Sequence, residues 1–470
     1  MTVSPLDRVI GFWKPVLSGD ELRDLAAYCA AGAPTAHGIN VVTGSGEPHS
    51  YTVVEPGARF RIFAAVHPIA EAPPESEALA EVVDAAGAHH SFVLRDPGAG
   101  SILLPFDPNA AVDAFRREEY VPVGERSALP KPVLPAYYAV KSLIPRAVGQ
   151  RLRRSMARKA MASESALDWP LDESADMLQR FMLRLIMIAS GRRELQFMWF
   201  WPDGHPWAVT LTHDVETARG LANVPRVMEL ERARGLRSSF NMVPRDYEVP
   251  ESLLCSLRDD GFEAGVHGYT HDGLLFSSRS VFDERAAVIR EFRERWGASG
   301  FRSPATYRNR EWIPLLGFEY DSSYSNTAPC EPQPGGCGSF FPFALGDTVE
   351  LPITLPQDHT LFELLGQSGP DTWLTCLERI RDANGMACVL AHPDPAAGYM
   401  GMPENEASYI RVLETLAASD AWTSLPRELA RWWRARALTS AEDIGALQGA
   451  SYGTAALAAD GRIEIAVTDR

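Results

Sequence analysis

The sequence has little cysteine, no long hydrophobic run and no excess of positive charge. Its six cysteines in 470 residues lie far apart without a CxxC pair, which argues against a disulfide framework or a cysteine-based zinc site. The longest apolar stretch, residues 181–189, is interrupted by Arg184 and is too short to cross a bilayer. The opening residues have no apolar signal-peptide core. We therefore expect a soluble protein of the cytoplasm.

The net charge is strongly negative. The chain has 45 Lys and Arg against 61 Asp and Glu, for a formal charge of -16 at pH 7. Such a field disfavours nucleic acid as a partner. One segment, residues 141–159, departs from this balance because it has no acidic residue. Its basic residues are Lys141, Arg146, Arg151, Arg153, Arg154, Arg158 and Lys159.

Apolar residues recur at roughly helical spacing within 141–159, which predicts a basic amphipathic helix. One interpretation is peripheral contact with an anionic membrane surface or with the phosphate of a substrate. The other is a connecting helix whose charges are solvated or paired with the acidic remainder. The sequence leaves both interpretations open.

Changes in pattern along the chain predict four segments. Residues 1–125 contain short runs in which apolar and polar residues alternate, separated by turns with Gly and Pro. This pattern is typical of a β-rich domain, and the role of that domain is unknown. Residues 126–200 form a basic helical connector that includes a buried helix at about 173–190. Residues 201–436 alternate short strands with helices, which predicts a parallel sheet or barrel. Residues 437–470, rich in Ala and Gly, are predicted to be a loosely attached tail.

Individual elements are predicted within these segments. The first segment has strands at 51–54, 60–66, 91–94 and 102–106 and short helices at 75–86 and 108–117. In the third, strands at 207–212, 237–242, 264–266, 317–320 and 387–391 alternate with helices at 218–234, 250–260, 280–296, 371–384 and 404–418. Active sites of such folds gather at the C-terminal ends of the strands. The residues that follow the strands are therefore candidate site residues.

Reactive side chains follow four strands of the third segment. They are His-Asp-Val-Glu at 213–216, His-Gly-Tyr-Thr-His-Asp at 267–272, Arg-Ser-Pro-Ala-Thr-Tyr at 302–307 and His-Pro-Asp at 392–394. Two histidines four residues apart face the same side of a helical turn, as a metal requires. A carboxylate from another strand end supplies a third ligand and leaves positions open for water and substrate. This pattern predicts a catalytic metal site.

The order of these motifs resembles a known family. Thr-His-Asp-Val-Glu, His-Gly-Tyr-Thr-His, Phe-Arg-Ser-Pro, Tyr-Asp-Ser-Ser and Leu-Ala-His-Pro are similar to the successive motifs of the polysaccharide deacetylases, the NodB-homology or carbohydrate esterase family 4 group. The resemblance covers about residues 200–435. It implies an α/β fold with a distorted (β/α)7-type barrel beside a smaller β-rich N-terminal domain. It also implies metal-dependent removal of N-acetyl groups from an amino sugar or glycan precursor.

The resemblance implies roles for residues of the first two motifs. His267 and His271 resemble the two imidazole ligands of the metal, and Asp214 resembles the general base. Val215 stands where the family usually has a second, adjacent aspartate. Glu216 is therefore the expected acidic ligand, with Asp214 as the alternative.

The later motifs imply further roles. Arg302 resembles the arginine that orients the base, and His392 resembles the general acid. The candidate partners for the second ring nitrogen of His392 are Asp394 and Asp321. The side chains expected to contact substrate are Tyr307, Asp321 and Tyr324, and a backbone N–H near Tyr307 is expected to share the oxyanion.

The metal and the substrate are less closely defined. The expected metal is Zn²⁺, although the same nitrogen and oxygen ligands accept Co²⁺ or a similar cation. The expected substrate is a carbohydrate or a small amide. The third and fourth motifs depart from the family pattern, which leaves an alternative: a hydrolase of small non-sugar amides or cyclic imides. A catalytically silent carbohydrate-binding protein is a third alternative, which the retained ligands and general acid disfavour.

Two other features have open interpretations. His213 is either an additional active-site group or a residue on the far face of its strand. Residues 357–359, Gln-Asp-His, either contact substrate or belong to a rigid surface crossing.

Overall fold

The computed structural model describes residues 4–30, 37–69, 75–122, 146–162, 167–396 and 398–468. The helices are α1 (Asp7–Trp13), α2 (Gly19–Asp24), α3 (Pro108–Arg116), α4 (Arg146–Ala162), α5 (Ser174–Ala189), α6 (Ala218–Arg232), α7 (Glu251–Asp259), α8 (Arg279–Trp296), α9 (Asp371–Asp382), α10 (Pro403–Ala417) and α11 (Pro426–Leu438). A π-helical turn spans His359–Leu364.

The strands are β1 (Ala26–Ala30), β2 (Gly38–Thr43), β3 (His49–Glu55), β4 (Ala58–Ala64), β5 (Glu77–Asp84), β6 (His89–Asp96), β7 (Ser101–Leu104), β8 (Glu194–Met198), β9 (Ala208–Val215), β10 (Ser238–Met242), β11 (Glu263–His267), β12 (Gly300–Arg302), β13 (Tyr320–Asp321), β14 (Phe343–Leu345), β15 (Thr348–Glu350), β16 (Met386–Ala391), β17 (Trp422–Thr423), β18 (Tyr452–Leu457) and β19 (Ile463–Val467). The chain divides into two compact units: Met1–Tyr120 with Glu173–Gly204 and Ala435–Arg470, and Val121–Asp172 with His205–Arg434.

The first unit is built on a seven-stranded sheet. Its strand order is β1-β2-β7-β6-β5-β3-β4, with parallel pairing only at β1–β2 and β2–β7. α5 packs on this sheet through a largely buried surface, and the ring of Phe181 lies 5.6 Å from that of Phe60. Burial of such apolar side chains is the main force that holds a helix to a sheet. The predicted buried helix near 173–190 is confirmed.

A smaller antiparallel sheet, β19-β18-β8, also belongs to the first unit. Two of its strands come from the C-terminal segment, so the prediction of a loosely attached tail is wrong. The hairpin is held from one side by Arg184, whose Nε donates a hydrogen bond to the backbone oxygen of Gly461 at 2.7 Å. Small Ala and Gly residues gave no strong strand signal, whereas pairing with β8 supplies the hydrogen bonds that stabilise these strands.

The units differ from the predicted segments in two further ways. Residues 173–204 belong to the first unit, whereas the described residues 121–122, 146–162 and 167–172 belong to the second unit with the barrel. Residues 75–86, predicted to be a short helix, instead contain β5. Ala and Glu favour a helix locally, but β5 pairs with β3 on one side and β6 on the other, and this tertiary pairing overrides propensity.

The second unit is a distorted α/β barrel. Seven parallel strands run in the order β15-β13-β12-β11-β10-β9-β16, with β14 antiparallel at one edge and β17 paired to β9. Helices such as α6, α7 and α8 connect successive strands. β9, β10 and β16 are buried along their whole length, as parallel strands covered on both faces must be. The predicted (β/α)7-type fold is confirmed.

An irregular contact closes the barrel. The segment after β15 reaches β16, where the backbone N–H of Thr354 donates to the oxygen of Cys388 at 3.3 Å. The Thr354 hydroxyl accepts from the Cys388 N–H at 2.7 Å and donates to the oxygen of Met386 at 3.0 Å. Hydrogen bonds of the Thr354 side chain replace the regular backbone ladder between strands at this point. The barrel is therefore distorted where it closes. None of the helices in the described ranges is long and apolar enough to cross a membrane.

Candidate active site

The site lies where the parallel strands of the second unit end. Asp214 is the second-last residue of β9, His267 ends β11, Arg302 ends β12, and His392 directly follows β16. Parallel strands in register bring their C-terminal ends to one edge of the barrel. The four motifs therefore meet at that edge, as the sequence predicts.

Three predicted ligands come together. One donor atom each from Glu216, His267 and His271 lies within 4.8 Å of the others. The Nε2 atom of His271 is 3.0 Å from Oε1 of Glu216. Two imidazoles and one carboxylate form the donor set of many catalytic divalent-metal sites.

The ring of His267 is oriented for metal binding. Its Nδ1 donates a hydrogen bond to the backbone oxygen of Arg302 at 3.0 Å, which fixes the proton on Nδ1 and leaves a lone pair on Nε2. Nε2 is buried and has no hydrogen-bond partner among the described residues. Burial lowers the pKa of His267 to about 4, so the ring is neutral, as a ligand must be. The residues present thus fit a divalent cation.

The two histidines converge without a helix. Residues 268–273 form bends and a turn after β11, so the expected helical turn is absent. Gly268 has φ of 67°, and a Cβ at this position would lie 2.5 Å from Cδ of Pro304. Glycine therefore lets the chain turn sharply beside the third motif. The Asp246 carboxylate accepts a 2.8 Å hydrogen bond from the His271 N–H and holds the turn.

Asp214 is held as an ionised carboxylate. Its Oδ1 accepts hydrogen bonds from Nη1 of Arg302 at 3.1 Å and from Nδ2 of Asn241 at 2.9 Å. Its Oδ2 lies 3.8 Å from Nε2 of His267. Burial by itself would raise the pKa of Asp214, but the charges of Arg302, His267 and His392 bring it to about 2.

Arg302 is fully buried and makes four hydrogen bonds. It donates to the backbone oxygen and hydroxyl of Ser322, each at 2.6 Å, and to the Thr212 hydroxyl at 2.9 Å, besides its bond to Asp214. These contacts fix the guanidinium from two other strands. The fixed charge in turn sets the position and ionisation of the Asp214 carboxylate.

His392 is oriented by Asp358. Its Nδ1 donates to Oδ1 of Asp358 at 2.6 Å, while its Nε2 lies 3.8 Å from Oε1 of Glu216. Asp358 also accepts backbone N–H bonds from His392, His359 and Met400. Burial opposes the charge of His392, but Asp358, Glu216 and Asp214 raise its pKa to about 10.

The partner of His392 is thus not one of the two predicted acids. Asp394 instead accepts the N–H of Glu216 at 2.9 Å and the hydroxyl of Thr217. Asp321 accepts from Ser323 below the site. The sequence left two interpretations of Asp358, contact with substrate or a rigid surface crossing. The structure instead shows it bound to His392, the candidate acid.

Tyr399 was not anticipated from the sequence. Its hydroxyl donates to Oε2 of Glu216 at 2.8 Å, and its ring stacks on His392 with centroids 4.3 Å apart. Burial and the charge of Glu216 raise the pKa of Tyr399 well above its usual value, so the phenol remains protonated. It holds the candidate ligand Glu216 and the candidate acid His392 together.

Two predicted substrate contacts are placed in the core. Asp321 is fully buried beside Glu350, and burial with the charge of Asp321 raises the pKa of Glu350 well above its usual value. Tyr324 packs edge-on against Phe343, within an apolar cluster. The structure argues against substrate contact by Asp321 or Tyr324. Tyr307 follows a turn in which Ala305 and Thr306 have positive φ, and its role remains a prediction.

His213 points away from the candidate ligands. Its Nε2 contacts Oε1 of Glu231 at 2.6 Å, and its Nδ1 contacts the backbone oxygen of Ala391 at 3.0 Å. Its ring stacks on Phe240, and the Tyr409 hydroxyl donates to the same Glu231 oxygen at 2.6 Å. The far-face interpretation of His213 is the one that the structure supports, and the cluster it joins is a buried polar support of the barrel.

A pocket of about 270 Å³ opens onto this site. Its lining residues are Arg153, Glu216, Thr217, Arg219, His359, Glu363, Asp394, Pro395, Ala396 and Tyr399. Arg153 comes from α4, the predicted basic helix, whose side chains are described only in part; Lys141 lies outside the described residues. Burial lowers the pKa of His359 to about 4, so this pocket residue is neutral.

Comparison with known proteins finds distant similarity only. No protein-family model and no curated protein matches the chain. A Mycobacterium smegmatis structure that carries the name polysaccharide deacetylase aligns at 24% identity and a TM-score of 0.43, over 52% of this chain and 95% of that chain. An allantoinase aligns at 15% and 0.40, over 50% and 92%. A family 4 carbohydrate esterase from Streptomyces lividans aligns at 16% and 0.32, over 48% and 93%.

Proposed function

We propose that the chain is a divergent relative of the polysaccharide deacetylases and hydrolyses the amide of an N-acetylated amino sugar or glycan precursor, with a divalent metal. The observation that carries this proposal is the meeting of a ligand set, a candidate base and a candidate acid at one barrel edge. They are Glu216, His267 and His271; Asp214 with Arg302; and His392 with Asp358. The five motifs in family order support the same assignment.

Glu216, His267 and His271 would hold the metal. When bound, a divalent cation would polarise the amide carbonyl and bring the pKa of a bound water towards about 7. Zn²⁺ suits two imidazoles and a carboxylate, and Co²⁺ or a similar cation suits them too. Tyr399 and Asp394 orient Glu216 through its carboxylate and its backbone N–H.

Asp214 would take the proton of the attacking water. Oδ1 is occupied by Arg302 and Asn241, so Oδ2, which faces His267, is the oxygen available for the proton. Because its pKa is about 2, the carboxylate is ionised at neutral pH and can act as a base. The fixed Arg302 contact prevents the carboxylate from turning away.

His392 would give a proton to the leaving amine. Asp358 holds the Nδ1 proton, which leaves Nε2 to face Glu216 and the candidate ligands. The raised pKa of His392, about 10, keeps the second proton on the ring at neutral pH. The base and the acid lie on different strand ends, and each favours the charged form of the other: His392 lowers the pKa of Asp214, and Asp214 raises the pKa of His392.

Two measurements test the proposal. The metal content of purified protein, by mass spectrometry, separates a hydrolase from a silent carbohydrate-binding protein, for which no bound metal is expected. Acetate release from N-acetylglucosamine derivatives, compared with release of products from small amides and cyclic imides, separates the sugar deacetylase from the alternative hydrolase. Glu229→Gln, on an exposed face of α6, is the matched control for Glu216→Gln. Loss of activity only in Glu216→Gln is expected.

A further inference from the structure

The pocket beside the candidate active site contains two arginines from different parts of the barrel unit. Arg153 extends from α4, and Arg219 belongs to the first turn of α6, three residues after Glu216. α4 is held against the pocket because Nε of Arg154 donates to the backbone oxygen of Glu363 at 2.8 Å. The basic helix therefore contributes to the same pocket as the ligand Glu216.

The acidic residues of the pocket are already engaged. Glu216 contacts His271 and accepts from Tyr399. Asp394 accepts from Thr217 and from the Glu216 N–H. Glu363 lies 3.5 Å from Nη2 of Arg153. Each of the three carboxylates therefore already has a partner within the protein, and within the described ranges none of them forms an ion pair with Arg219.

The arginines retain capacity for such a ligand. Nε of Arg153 is buried and has no hydrogen-bond partner within the described ranges. Arg219 is exposed and forms no ion pair with an acidic side chain among the described residues. Guanidinium groups present donors in a fork that matches the oxygens of a carboxylate or phosphate. Most buried donors in folded proteins are hydrogen-bonded, and an anionic ligand would supply the partner that Nε of Arg153 lacks.

We propose that this pocket binds an anionic group of the substrate, a carboxylate or a phosphate, through Arg153 and Arg219. The inference rests on the proposed amide hydrolysis and narrows its substrate class to anionic N-acyl compounds. The pocket lies on the Glu216 side of the ligand set, so the anion binds next to the amide rather than at a distant subsite. Arg153 and Arg219 are positioning residues in this scheme.

The proposal also accounts for α4. Arg153 and Arg154 both contact Glu363, but only Arg153 is half-buried, whereas Arg151, Arg154 and Arg158 are exposed. A helix that served only to contact a membrane would have no reason to insert Arg153 into a pocket. The position of Arg153 in the pocket therefore favours recognition of a substrate group over attachment of α4 to a membrane surface.

Binding in the absence of metal tests this inference directly. Chelator-treated protein is titrated by calorimetry with N-acetylglucosamine, its 6-phosphate and N-acetylmuramic acid, whose carboxylate separates the two anion types. We expect one or both anionic probes to bind more tightly than the neutral sugar. Arg153→Gln and Arg219→Gln should each lower the affinity for the anionic probe by about tenfold to a hundredfold. Arg158→Gln, on the exposed face of the same helix, should bind as the unaltered protein does.

Equal binding of neutral and anionic probes would overturn the proposal, as would an equal loss in Arg158→Gln. Arg153→Lys keeps the charge but not the fork and should restore part of the affinity, which a general folding defect would not allow. With metal restored, the same variants should raise KM for the anionic amide and leave KM for the neutral amide unchanged. If no amide is hydrolysed although the anionic probe still binds, the proposed function fails and the anion site stands.

Discussion

The imidazole of His392 donates its Nδ1 proton to Oδ1 of Asp358 at 2.6 Å, and three backbone N–H groups hold the same carboxylate. Asp358 cannot rotate away without losing all four bonds. The His392 ring is therefore fixed with Nε2 directed at the candidate ligand Glu216. This arrangement resembles the carboxylate–histidine pairs that fix tautomer and orientation in catalytic sites.

Asp358→Asn should lower the pKa of His392. The pKa stands at about 10, above the usual 6.5, and Asp358 is the leading cause that raises it. Activity that requires the protonated ring is present at low pH and is lost as pH rises through this pKa. The alkaline limb of the kcat/KM profile should thus move to lower pH in the variant, while metal content stays unchanged. An unshifted alkaline limb would contradict His392 as the acid.

Asp214→Asn should greatly reduce turnover and leave the metal bound. The amide keeps the shape of the carboxylate but cannot accept the water proton, so a loss of about 10² to 10⁴ in kcat is expected. Metal content, measured on the same preparation, distinguishes base from ligand. If the metal is lost together with activity, Asp214 is the acidic ligand and the role of Glu216 must be reassigned.

Tyr399→Phe should weaken metal binding without removing the ring that stacks on His392. The lost hydroxyl is the 2.8 Å donor to Oε2 of Glu216. Removing such a supporting contact typically costs about 10- to 100-fold in metal affinity. Competition with a zinc-binding dye measures the change. Tyr452→Phe, in the first unit, is the matched control and should leave the affinity unaltered.

Glu231→Gln should destabilise the barrel and leave the site intact. The Glu231 carboxylate is fully buried and contacts His213, Tyr409 and the hydroxyl of Ser238. Breaking one side of a buried pair costs about 3–5 kcal/mol. Urea unfolding should show this loss in the free energy of unfolding, with KM nearly unchanged. A variant as stable as the original would show that this cluster contributes little.

The barrel and most of the site could be predicted because each strand carries its reactive residues at its own C-terminal end. The signal is a polar residue at the end of an otherwise apolar, buried strand, and it identifies Asp214, His267, Arg302 and His392. Asn241 has the same signal at the end of β10 and would have been found by applying the rule to every strand.

Contacts between segments far apart in sequence were not predictable in this way. Asp358 meets His392 because an irregular segment closes the barrel, and no periodic pattern indicates that closure. Tyr399 belongs to a loop after β16, and Arg153 to a helix outside the motif region. Local propensity failed for β5 and for the C-terminal hairpin because strand pairing, a tertiary effect, decides their conformation.

The most direct test of the account is the stoichiometry of divalent metal in reconstituted protein, measured by mass spectrometry after chelation, metal addition and desalting. The account predicts about one ion per chain in the unaltered protein, because the three donors form one mononuclear site. It predicts retention of the ion in His213→Ala and loss of most of it in His267→Ala and His271→Ala. Equal metal content in all four proteins, or none in any, would contradict the central claim.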